Sequence, residues 1–160
     1  VNERRLALLD ELERSAGSKG PELEGILRAF IAPPFHKQPE WGEGGRNFLR
    51  LVGRIHSETN EEFRASFIQQ FDTVFRRFTE ALQQALPQID AAEVTWRMFF
   101  LVGAMAHTML WAESVSQLHP GPPRDPGDLL DSLVRFATAG MSSPVPVTAG
   151  VRAESKGGRT

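Results

Sequence analysis

Residues 91–118, AAEVTWRMFFLVGAMAHTMLWAESVSQL, decide how this chain folds. Asp90 stands before them as a helix N-cap, and Glu93 three positions later completes a capping-box pattern. The segment predicts one helix on the order of 40 Å long at 1.5 Å per residue. From Met98 to Ala112 no residue is charged when His107 is neutral, yet the run is shorter than the roughly 20 residues that cross a bilayer. Met98, Phe99, Phe100, Leu101, Val102, Met105, Met109, Leu110 and Trp111 make it apolar on every face. A surface helix of a monomer keeps one face polar, so this one has to be covered all round. Gly103, Ala104 and Ala106 form a small-residue patch that lets another helix approach closely. Two readings fit: a central core helix within one chain, or a dimer interface. In the second, the last helix joins it, and two antiparallel helices from each subunit form an intermolecular four-helix bundle. The contact residues would then be Phe99, Gly103, Ala106 and Leu110, with Leu130, Leu133, Val134 and Ala137 from the last helix.

Working outward, the rest also reads as helices between short breaks. That last helix covers 127–141, with Leu129, Leu130, Leu133, Val134 and Phe136 as its apolar face, after a loop holding Pro120, Pro122, Pro123 and Pro126. Upstream, 60–86 is a long helix capped by Thr59 or Asn60 and stopped by Pro87. Its Phe63, Phe67, Phe71, Phe75 and Phe78 recur at helical spacing as one slowly drifting stripe. Residues 46–57 predict a short helix with Phe48, Leu49, Leu51, Val52 and Ile55 inward. The break from Phe35 to Gly45 carries Trp41. Leu23, Ile26, Leu27, Phe30 and Ile31 form one face of a helix that opens at Pro21 and that Pro33-Pro34 should end or kink. Residues 2–15 are an amphipathic helix with Asn2 as N-cap, ended by the glycines around Ser18. After Gly140 the composition turns to Ser, Pro, Gly and Thr, so 142–160 reads as a flexible tail behind one domain, 1–141.

Composition narrows the function. The 160 residues suffice for one domain with a full core. Lys+Arg 18 against Asp+Glu 20 gives a net charge of -2, which provides no general attraction for nucleic acid. Cys is 0, which removes disulfides, thiolate metal sites and cysteine nucleophiles; it leaves the redox compartment open, although it fits the cytoplasm. His36, His56, His107 and His119 show no ligand spacing, so no metal or other cofactor is expected. His56-Ser57 are helix neighbours that point apart, and Gly42-Glu43-Gly44-Gly45 follows no strand, so neither catalysis nor phosphate binding has a signature. The chain reads as a non-enzyme.

Three stretches carry a resemblance. Asn2-Glu3-Arg4-Arg5-Leu6-Ala7-Leu8-Leu9-Asp10, Phe48-Leu49-Arg50-Leu51-Val52-Gly53-Arg54 with Ser57-Glu58, and Trp96 to His107 are similar to helices of TetR/AcrR-type transcriptional regulators. The resemblance is to the C-terminal ligand-binding and dimerisation domain and covers 1–141. It implies an all-α domain of about six helices, the last two long ones forming the intermolecular bundle. It implies a cytoplasmic homodimer that acts as a repressor and takes a small hydrophobic or aromatic effector. Operator DNA would be read only by an N-terminal helix-turn-helix domain that this sequence does not include, and no membrane is involved.

The same resemblance places the effector in an apolar cavity inside each subunit. Phe30, Trp41, Phe48, Phe67, Phe71, Trp96, Phe100, Met105 and Trp111 are the apolar candidates, each with plain core packing as its other reading. His107, inside the uncharged run, needs a hydrogen bond and is the first polar candidate, or else a satisfied core or interface histidine. Gln70 is a second candidate donor, with a solvated position as its alternative. The competing function is a helical protein-interaction or dimerisation module whose aromatics are only core.

Overall fold

The computed structural model describes residues 1–36, 61–118 and 125–145. Among them the chain is all-α: α1 Asn2–Ala16, α2 Leu23–His36, α3 Glu61–Ala85, α4 Ala91–Leu118 and α5 Pro126–Ser142, with a 3-10 turn at Gly17–Lys19. The helix expected over 46–57, the caps Thr59 and Asn60, and the tail beyond Val145 lie outside the described residues.

α2 is the central element. It packs against α1, α3 and α5, while α4 packs against α3 and α5. The core is one apolar cluster that includes Leu9 of α1, Ile26, Leu27, Phe30 and Ile31 of α2, Phe78 and Leu82 of α3, and Val94 and Met98 of α4. The Phe30 and Phe78 rings meet edge-on at 5.1 Å, the geometry that ring quadrupoles favour. The phenylalanine stripe thus reaches the core through Phe78, which is fully buried, with Phe75 packed against its edge.

The helix ends follow from local chemistry. Gly17 and Gly20 adopt φ of 57° and 68°, which an L side chain resists, and this stops α1. The N-cap of α1 is Val1, without a side-chain bond, rather than the expected Asn2. Asn2 instead accepts from Arg5 Nη1 through its Oδ1 at 3.2 Å. α2 begins at Leu23, past Pro21. It does not end at the diproline; Pro33 and Pro34 both lie inside a helix that continues to His36. A proline at position 34 deprives the Phe30 carbonyl of its helical donor. The Arg5 side chain supplies one from α1, with Nε donating to Phe30 O at 2.7 Å.

The expected N-cap of α4 is present, since Asp90 Oδ1 accepts from the Glu93 N–H at 3.0 Å. The Glu93 carboxylate takes Arg97 Nε at 2.7 Å. Arg97 Nη1 in turn donates to the carbonyls of Gly140, Met141 and Ser143 at 3.2, 2.7 and 2.7 Å. Carbonyls at a helix C-terminus lack intrahelical donors. One arginine near the start of α4 therefore caps the end of α5 and fixes these two helices as an antiparallel pair. Asp125 caps the other end of α5, with Oδ1 accepting from the Gly127 N–H at 2.8 Å. Exposed or half-buried ion pairs join the remaining layers: Arg28 to Asp131 between α2 and α5, and Arg77 to Asp10 and Glu13 between α3 and α1.

Candidate functional site

α4 carries two apolar stripes. Val94, Met98, Leu101, Met105 and Met109 are buried against the core. Trp96, Phe100, Gly103, His107 and Trp111 repeat the same spacing two residues later, a displacement of about 200° around a helix with 3.6 residues per turn. That places the second stripe on the outward side. Trp96 is 59% exposed, Phe99 61%, Phe100 63% and Trp111 52%, and Phe136 on α5 reaches 68%. The rings are ordered among themselves. Trp96 stacks with Phe100 at 6.1 Å and meets Phe99 edge-on at 6.0 Å, and the His107 and Trp111 rings lie 6.2 Å apart.

Between α4 and α5 this face holds an open groove of about 460 Å³, lined by Gly103, Ala104, His107 and Thr108 on one side and by Leu129, Ser132, Leu133 and Phe136 on the other. A Cβ added to Gly103 would meet nothing within 4 Å, so its small size is not required by the single chain. A large aromatic side chain carries roughly 200 Å² of surface. At the observed exposures the five rings leave on the order of 600 Å² of apolar area in water, at the upper end of the roughly 300–600 Å² of a typical monomer's largest patch.

A second arrangement lies at the opposite, inward side of α4. Arg5 is only 3% exposed. Its guanidinium sits 4.2 Å over the Phe30 ring centroid. Besides the short bond to Phe30 O, it makes two longer ones: Nη1 to Asn2 Oδ1 at 3.2 Å and Nη2 to Met105 Sδ at 3.4 Å. All three acceptors are neutral, and no carboxylate among the described residues pairs with it. Burial pushes its pKa down to about 10, so the side chain remains a cation at neutral pH. A sequence signal existed for Arg5 and was missed. It stands four positions before Leu9 and seven before Leu12, on the apolar stripe of α1, where a charge cannot reach water freely.

Residues 28–140 match the family described as tetracyclin repressor-like, C-terminal domain. The chain belongs to that family. The matched span runs from α2 through nearly all of α5 and leaves α1, with Arg5, ahead of it. A search of curated proteins finds no match.

The tetracyclin repressor-like fold distributes the expected residues unevenly. Phe30 and Met105 are interior and meet at Arg5. Phe71 is half-buried on α3. Trp96, Phe100, His107 and Trp111, expected in an interior cavity, stand instead on the outward face, because their stripe lies opposite the buried one. His107 is exposed there, and no protein hydrogen-bond partner is needed in the single chain. Phe99 shares that face, with Gly103 and Leu110 half-buried. Ala106, Leu130, Leu133, Val134 and Ala137, expected at the interface, are buried within this chain and have little area left for a partner; only Leu133 also borders the groove. Trp41 and Phe48 lie outside the described residues, as do the side chains of Phe67 and Gln70. Among the described residues no three acidic or histidine side chains gather as a metal site, and no helix is long and apolar enough to cross a membrane.

Proposed function

We propose that this tetracyclin repressor-like domain is the effector-sensing and dimerisation part of a cytoplasmic transcriptional repressor. The observation that carries the reading is the outward aromatic stripe of α4 with Phe136 of α5. A second copy of the chain, related by a two-fold axis, would cover it with its own α4 and α5, giving a four-helix bundle. The on the order of 600 Å² available per protomer approaches the roughly 800 Å² per partner of a standard stable interface. The groove beside Gly103 and Ala104 would receive an aromatic side chain of the partner copy.

The regulatory half of the reading uses the inward side. A small apolar or aromatic effector would bind among α1, α2, α3 and α4 and displace α1. Helix-turn-helix domains joined ahead of α1 would then change their spacing and release operator DNA. Such coupling requires the effector to prefer the DNA-incompetent arrangement over the competent one. Two measurements test the two halves. Sedimentation of this chain at several concentrations should give a stable dimer; a folded protein that stays monomeric overturns the interface. Operator affinity of the full-length protein should fall on effector binding; an unchanged affinity overturns the sensing role.

A dimerisation module without an effector is the second reading. It is favoured by the position of the groove, which opens on the outer face of α4 and α5 rather than inside the helix layer.

A further inference from the structure

Arg5 is an expensive residue as it stands. Its side chain is withdrawn from water, its acceptors are neutral, and buried charges in folded proteins are otherwise paired or coordinated. An arginine side chain has five N–H groups in a planar fork. The Nε edge is well satisfied by Phe30 O at 2.7 Å. The Nη1 and Nη2 groups hold only the longer contacts to an amide oxygen and a thioether sulfur, and two of their N–H groups have no acceptor among the described residues. The Phe30 ring covers one flat face of the fork. What remains is an Nη edge with unused donor capacity, set between an aromatic ring and a methionine. A guanidinium edge of this kind takes a carboxylate or sulfonate in the plane of the fork.

We infer that Arg5 is an anion-binding residue, and that the effector of this domain is a small organic anion with a carboxylate or sulfonate beside an aromatic or apolar body. The inference rests on the effector-sensing reading above and deepens it. Arg5 lies on α1, ahead of the span that matches the family, while Phe30 and Met105 lie within it. It also gives the ligand a route to α1. Arg5 is the point where α1 is bonded to α2 through Phe30 and to α4 through Met105. An anion that takes over the Nη groups would replace the Asn2 and Met105 contacts and so alter how α1 is held.

The test uses two fluorescent probes that share one aromatic skeleton: 8-anilinonaphthalene-1-sulfonate, an anion, and N-phenyl-1-naphthylamine, which lacks the sulfonate. Each is titrated into the unsubstituted chain, Arg5→Met and Arg5→Gln, with circular dichroism confirming that the variants are folded. Charge-assisted hydrogen bonds of this kind correspond to about a 10- to 100-fold difference in affinity. The anionic probe should therefore bind the unsubstituted chain at least about 10-fold tighter than it binds either variant, with the neutral probe little changed. Should neither variant fold, nitrogen-detected NMR of the unsubstituted chain decides. The Arg5 side-chain resonances should move on adding the anionic probe and stay in place with the neutral one. Anionic-probe binding that is indifferent to Arg5, or Arg5 resonances that do not respond, overturns the inference, while neutral-probe binding in the interior leaves the sensing reading standing. If neither probe binds the unsubstituted chain, both fail.

Discussion

Replacing Phe136 with alanine separates association from folding. Phe136 is 68% exposed in the single chain, so roughly 130 Å² of its surface awaits a partner. At about 25 cal/mol per Å² its burial is worth about 3 kcal/mol, and a two-fold dimer contains the side chain twice. Ordering and rigid-body costs of association reduce the gross gain. Half of it would still weaken the dimer by about 3 kcal/mol, or more than about 100-fold in dissociation constant. The same substitution should leave the folding stability of the protomer within about 0.5 kcal/mol, because little of the ring is packed in the single chain. Sedimentation equilibrium over a wide concentration range gives the first quantity, and urea unfolding at a concentration where the protomer is monomeric gives the second. An aromatic face that serves no partner would yield a different result: Phe136→Ala would self-associate just as the unsubstituted chain does. That outcome refutes the assignment of this face as an interface.

Other substitutions probe separate links. A Cβ at Gly103 meets nothing within 4 Å in the single chain, so Gly103→Ala should raise protomer stability by about 0.5–1 kcal/mol through helix propensity while dimer affinity falls in sedimentation. Phe78→Ala removes a fully buried ring packed on Phe30 and should cost about 3–5 kcal/mol in denaturant unfolding. Arg97→Gln uncaps the end of α5 and breaks the bond to Glu93, and should lower stability by about 1.5–3 kcal/mol, read as a drop in Tm. Arg5 gives a pH dependence of defined sign. Its folded-state pKa, about 10, lies below the ordinary guanidinium value, so its charge opposes folding throughout the neutral range. Above about pH 10 the folded chain releases this proton before the unfolded chain does, and that opposition is relieved. The stability difference between the unsubstituted chain and Arg5→Met should therefore stay constant up to about pH 9 and shift towards the unsubstituted chain as pH rises from about 10 to about 11 in urea unfolding. A constant difference would contradict the burial of an uncompensated charge.

Much of the fold was legible in the residues because helices are specified locally. The Asp90 cap, the spacing of apolar side chains over 91–118 and the stop at Pro87 depend on neighbours within a turn or two, and α4 and α3 fall at or within a residue of the expected positions. The diproline misled because only its backbone cost is visible in sequence. The missing donor at Pro34 is replaced by Arg5, 25 positions away from the carbonyl it serves. That α4 is apolar all round was equally visible, but not which half meets its own core. The pattern at 94, 98, 101, 105 and 109 and the pattern at 96, 100, 103, 107 and 111 are the same pattern in register two apart.

Tertiary packing made that choice. The α3 and α5 layers cover the Val94–Met109 side, which leaves Trp96, Phe99, Phe100 and Trp111 facing out and uses Leu130, Val134 and Ala137 in the chain's own core. Local sequence specified the helices among the described residues, most of their limits and an excess of apolar surface, since these follow from propensity, capping and composition. Which apolar face is left uncovered, and that a cation on α1 is sealed among neutral acceptors from α1, α2 and α4, were decided only by the assembled structure. Burial depends on contacts between residues as far apart as Arg5 and Met105, and no local spacing encodes them.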